Sequence, residues 1–182
     1  MPINIVDPST GYTVKVNNTG KLQTIATSMP VAAQVNASQG LSFTITDTIV
    51  PSPSADFFYM RNESENPLVL VSSEFWSETD GKILIHRNPS GTPTGGSEIT
   101  PANCNFGSNK QAPGTFYYGE DLGGLSGGQL RNTIRFQAGV PRRYSFDDWT
   151  ILTRNTDIKF YVENGGAEFD FWLQIFYLYM NF

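Results

Sequence analysis

Apolar and polar residues alternate along much of this chain with a period of two. "LSFTIT" sets Leu41, Phe43 and Ile45 against Ser42, Thr44 and Thr46, the pattern of a strand with one buried face. Further strand-like runs begin at Tyr12, Phe57, Pro67, Lys82, Gly114, Arg131, Val140 and Thr156, and a less regular one spans Lys21 to Ala26. Turn-forming clusters separate them: Pro51-Ser52-Pro53-Ser54, Glu65-Asn66-Pro67, Thr79-Asp80-Gly81 and Asn88-Pro89. No stretch holds helical spacing over a useful length. The pattern predicts an all-β chain, an antiparallel β-sandwich with jelly-roll strand order. Residues 1–39 are polar and weakly patterned, and are expected to form an extended N-terminal arm with short strands. Residues 40–182 are expected to form the sandwich domain.

The last run, "AEFDFWLQIFYLYMNF", departs from simple alternation. Phe169, Phe171, Leu173, Ile175, Tyr177 and Tyr179 share one face, while Trp172, Phe176, Leu178 and Met180 share the other with Asp170 and Gln174. One sandwich core buries only one of these faces. The run is too short and too polar to span a membrane as a helix. A second copy of the chain is therefore the expected cover for Trp172, Phe176, Leu178 and Met180, in a homotrimer. The rival cover is the glycine-rich loop from Gly119 to Gln129.

Composition narrows the function classes. With 182 residues the chain is sized for one core, and its 16% charged residues fall below the usual quarter. A net charge of −5 disfavours nucleic acid, whose phosphates call for clustered Lys and Arg. The single cysteine, Cys104, forms no disulfide within the chain, and Met1-Pro2-Ile3-Asn4 does not open like a signal peptide. The expectation is a chain made and folded in a cytoplasm.

Candidate chemistry is sparse. Gly124-Leu125-Ser126-Gly127-Gly128 fits G-x-S-x-G, yet a nucleophile elbow needs a strand before the serine and a helix after it. The one histidine, His86, precedes Ser126, the reverse of hydrolase order. One His and one Cys do not make a usual zinc site. The adjacent acidic pairs Glu120-Asp121 and Asp147-Asp148 leave room only for an inter-loop calcium ion. Phe75-Trp76 and Tyr117-Tyr118 are the aromatic pairs with a form suited to stacking on sugars, although core packing explains them as well. The expectation is no catalytic residue, no metal and no cofactor.

One long stretch, "SGTPTGGSEITPANCNFGSN" from Ser90 to Asn109, has turn chemistry throughout and little to bury. Its skeleton runs Gly91-Thr92-Pro93-x-Gly95-Gly96, then Ile99-Thr100-Pro101-x-Asn103-x-Asn105-x-Gly107-Ser108. With the glycine-rich loop, Trp149-Thr150-Ile151-Leu152, Asn155-Thr156 before a strand and the aromatic last strand, it resembles tailed-bacteriophage virion proteins. The opening "DPSTGYTVKVNNTGKLQT" is similar to the start of such proteins, and Cys104 and Phe106 depart from the pattern. The resemblance implies a non-enzymatic structural protein, a capsid decoration (cement) protein of the virion. Its partners would be the major capsid protein or other virion proteins. A carbohydrate-binding or host-recognition module, or a neck or tail accessory protein, is the alternative. The long stretch itself is expected to be a structureless crossover in contact with a neighbouring subunit, with Pro93 and Pro101 blocking strand pairing.

Overall fold

The computed structural model describes backbone and side chains for residues 35–36, 39–146 and 150–178, and backbone alone for 3–6, 13–16 and 147–149. Tyr179, Met180, the run Lys21 to Ala26 and the side chains of Asp147, Asp148 and Trp149 lie outside the described residues. The chain divides into two units, Met1–Pro30 and Val31–Phe182. The division falls before the expected boundary at Gln39, because residues just ahead of the first sandwich strand pack with the sandwich (below). In the first unit, β1 (Ile3–Val6) and β2 (Thr13–Val16) pair antiparallel, with Ile3 opposite Val16.

The second unit is all-β, with antiparallel sheets packed together. Eight strands carry it: β3 (Ser42–Ile49), β4 (Ala55–Asn62), β5 (Leu68–Ser77) and β6 (Gly81–Arg87), then β12 (Gln129–Phe136), β13 (Arg142–Leu152), β14 (Asp157–Glu163) and β15 (Phe169–Tyr177). An insertion between β6 and β12 holds five shorter strands: β7 (Ser90–Thr94), β8 (Ser97–Glu98), β9 (Ala102–Asn103), β10 (Gly114–Tyr118) and β11 (Gly123–Ser126). One sheet has the order β13-β5-β15-β3-β9, and the facing sheet β12-β6-β14-β4-β10-β8. They are called here the β15 sheet and the β14 sheet. β7 pairs with β11 in a small separate sheet. The pairs β6–β12, β5–β13, β4–β14 and β3–β15 are nested antiparallel neighbours. The eight strands thus form one long two-stranded ribbon, wound so that successive steps lie in opposite sheets.

The stretch Ser90 to Asn109 is not structureless. It contains β7, β8 and β9, which pair with β11, β10 and β3. Pro93 is a buried residue within β7 that has no partner in the β7–β11 register, so it interrupts the pairing without ending the strand. It lies where the β7–β11 register shifts, so the missing N–H is tolerated at an irregularity.

The core is built from phenylalanine. Phe57 meets Phe160, Phe169 and Phe171 at ring-centroid distances of 6.1, 5.2 and 5.7 Å, edge to face. A bulge makes this possible. Phe160 opposes Phe58 but Tyr161 opposes Asp56, which leaves Phe57 unopposed. Phe57 and Phe58 are therefore both in the core, while Asp56 and Tyr59 flank them. The same bulge breaks the period of two within β4, the strand expected from Phe57.

Candidate functional site

β15 is central in its sheet, between β5 and β3. Phe169, Phe171, Leu173, Ile175 and Tyr177 enter the core, as their alternation predicts. The opposite face does not behave uniformly. Phe176 is only 3% exposed, and it forms a small cluster with Val35 and Val69, with Leu41, Val71 and Leu178 packed against it. Of the expected interface set Trp172, Phe176, Leu178 and Met180, the last lies outside the described residues. Phe176 and Leu178 pack against segments of their own chain, and neither a second copy nor the loop Gly119–Gln129 is needed to bury Phe176. Trp172 is half-buried and lies outside that cluster.

The Asn-rich stretch holds this cover in place. Asn103 Nδ2 donates to the carbonyls of Gly40 and Lys110 at 2.9 and 3.0 Å, while its Oδ1 accepts from the Asn105 N–H at 2.8 Å. Asn105 Nδ2 donates to the Asn36 carbonyl at 3.1 Å, and its Oδ1 accepts from the Gly107 N–H at 3.1 Å. Lys110 Nζ donates to the Gln39 carbonyl at 2.8 Å. Gly40, with φ +60°, lies so close to Ser108 that a Cβ there would stand 2.6 Å from its hydroxyl oxygen. The N-x-N-x-G-S sequence is thus a bracket: two amide side chains tie a turn to the segment that precedes β3. At the tip of that turn Phe106 is fully exposed.

Among the described residues, the face of the β15 sheet beyond the covered end is an open groove. Trp172 stands opposite Glu74 on β5 and Thr46 on β3. Asp170 stands opposite Trp76 and Thr48. Arg143 on β13 is opposite Glu74. These residues, with Pro141 and Glu168, line an open groove of about 900 Å³. Asp170 Oδ1 accepts from the Thr48 hydroxyl at 2.5 Å.

The loop from Gly119 toward Gln129 packs instead along β4 of the β14 sheet. The Gly119 and Leu122 N–H groups donate to the carbonyls of Phe57 and Asp56 at 3.0 and 2.7 Å, and Leu122 is buried. Near it Lys159 Nζ donates to Asp56 Oδ2 at 2.9 Å, and farther along β4 the Tyr59 hydroxyl donates to Asp157 Oδ2 at 2.9 Å. Burial pushes the Asp56 carboxyl above its usual range, with Lys159 opposing that shift. Burial, then the bond to Asp157, pushes the Tyr59 phenol up to about 12. Nothing in the spacing along the sequence announces these pairings, because the partners come from strands far apart in the chain.

Ser126 ends β11, and the chain continues into β12 rather than into a helix. His86 lies in β6 opposite Lys159, and its Nδ1 is buried without a hydrogen-bond partner among the described residues. Among the described residues, no three His, Cys, Asp or Glu side chains come together as a metal site. Of the aromatic pairs noted for sugar stacking, Phe75 is a core residue and Trp76 lies on the open groove. Tyr117 and Tyr118 are half-buried. No protein-family model, curated protein or solved structure matches the chain.

Proposed function

We propose that this chain is a non-enzymatic structural protein of a tailed-bacteriophage particle, a decoration protein seated on the head and assembled there in the host cytoplasm. The observation that carries the reading is Phe106, fully exposed on a turn clamped by Asn103 and Asn105. A large apolar side chain held rigidly in water forgoes roughly 1.5–3 kcal/mol of burial, and a pre-ordered turn spares a partner the ordering cost. Such a residue is suited to anchoring a neighbouring chain. The nested ribbon supports the same reading. Its winding is that expected of a jelly roll, an architecture used in viral capsid domains. The partner in view is the major capsid protein, and homotrimers on the shell remain part of the proposal.

The test is co-sedimentation of purified chain with heads lacking it, followed by a density map of the decorated particle. Saturable binding at a fixed copy number per capsid subunit is expected, and Phe106→Asp should weaken it by about tenfold or more. A folded protein that leaves heads undecorated overturns the reading.

A further inference from the structure

We propose that the open half of the β15 sheet face binds a neutral carbohydrate, with pyranose rings stacked on Trp172 and Trp76. The inference does not depend on where in a particle the chain sits. The strand register sets the two tryptophans and two carboxylates in a checkerboard. Trp172 faces Glu74 across the β15–β5 pair and Asp170 faces Trp76, so each indole is diagonal to the other and adjacent to a carboxylate. Diagonal positions of this kind lie about 7–8 Å apart, within reach of large aromatic side chains. A chain of sugars offers this alternation in reverse, apolar ring faces beside hydroxyls that donate hydrogen bonds.

The side chains are free for such a ligand. Among the described residues, neither Trp76 nor Trp172 pairs with another ring, and neither indole N–H is engaged. Glu74 is exposed and has no ion-pair or hydrogen-bond partner among the described residues. Asp170 accepts one hydrogen bond, from Thr48, and keeps further acceptor capacity. The site is carried by a central strand and its neighbour, whose other faces are locked into the core, so it is pre-formed rather than assembled on binding.

Charge selects the class of ligand. Glu74, Glu168 and Asp170 line the groove, and among the described lining residues Arg143 is the cation that offsets them. That field opposes sialic acids, uronic acids and phosphorylated sugars. It also opposes a flat protein partner, which would strip water from several carboxylates without replacing their hydrogen bonds. Sugar hydroxyls donate to those carboxylates and leave the groove partly wet.

The experiment is calorimetric titration of the full chain with cellohexaose, maltohexaose and chitohexaose, alongside a printed glycan array that includes sialylated and uronic-acid glycans. Binding of at least one neutral glycan is expected, with the anionic ones unbound. Trp172→Ala and Trp76→Ala should each weaken that binding by about tenfold while leaving a folded protein by thermal melting. Two variants are used so that the loss of one fold does not decide the matter. No binding by any neutral glycan, or binding unchanged in both folded variants, overturns the proposal. So does an oligomer that Trp172→Ala dissociates, since the face would then belong to a second copy.

Discussion

Lys159 on β14 and Asp56 on β4 form an ion pair of 2.9 Å in which both side chains are more than nine-tenths buried. Desolvation is the largest influence on Asp56 and outweighs the attraction of Lys159, since its carboxyl is raised above 3.8. The pair therefore does not recover all that its burial costs. Removing one partner strands the other charge, so Asp56→Leu or Lys159→Met alone should cost about 3–5 kcal/mol. The double variant should return to within about 1 kcal/mol of the parent or exceed it. Urea unfolding of the four proteins checks the cycle, and additive losses would contradict it. The pH dependence has a definite sign. A raised carboxyl contributes most below 3.8, and its contribution falls as pH rises through the raised value.

Tyr59 gives a second handle on pH. Its hydroxyl donates to Asp157, and its phenol is raised from 10.0 to about 12. A raised group stabilises fully below its unfolded value and loses that contribution as pH climbs to the folded one. Stability should therefore fall between about pH 10 and pH 12 with a component that Tyr59→Phe removes. At neutral pH the same substitution should cost about 1.5–3 kcal/mol, because the bond it deletes ends on a carboxylate. Thermal melts of the two proteins across that alkaline range decide the point; parallel curves would show that Tyr59 is not the source.

The bracket of Asn103 makes a sharp chemical prediction. Its Nδ2 serves the carbonyls of Gly40 and Lys110, and its Oδ1 serves the Asn105 N–H. Aspartate has the same shape and no donor, so Asn103→Asp should be at least as damaging as Asn103→Ala, about 1–3 kcal/mol. Hydrogen exchange should then accelerate at the Gly40 N–H, which donates to Asn36 within the bracket, and at the Cys104 N–H, which donates to Ser42 of β3 beside it. Full stability in Asn103→Asp would mean that the amide donors are not what holds the turn.

The fold was more legible than the surfaces. Strands such as β3 and β6 alternate because one face meets the core and the other does not. β4 resists that reading, since its bulge turns Phe57 and Phe58 the same way. β7, β8 and β9 are hidden for a different reason: their side chains are mostly exposed, so pairing leaves no apolar period to detect. The groove was half visible. Period two in β5 separates Phe75, which goes inward, from Trp76, which goes outward, but only strand register brings Trp76 beside Asp170. The cover over Phe176 had no sequence signal, because Val35 and Leu41 sit at the start of the sandwich unit and Phe176 near its end.

That cover yields the last prediction, which sets Phe176 against Trp172 on the same strand face. Phe176 is sealed by Val35 and Val69, whereas Trp172 borders the open groove. Phe176→Ala should cost about 3–5 kcal/mol of unfolding free energy, as for other buried aromatic truncations. Because the seal is intrachain, that loss should not depend on protein concentration. Val35→Ala should couple to it, with a non-additive term of at least about 0.5 kcal/mol in a double-mutant cycle. Trp172→Glu, by contrast, should unfold at nearly the parental denaturant midpoint, because its side chain keeps access to water. Sedimentation and urea titration at several concentrations separate the alternatives. If Phe176→Glu yields well-folded monomers from a parental oligomer, the seal comes from another copy and the intrachain account fails. If it yields an unfolded chain while Trp172→Glu stays native, the two residues divide the face between support of the fold and contact with what lies outside it.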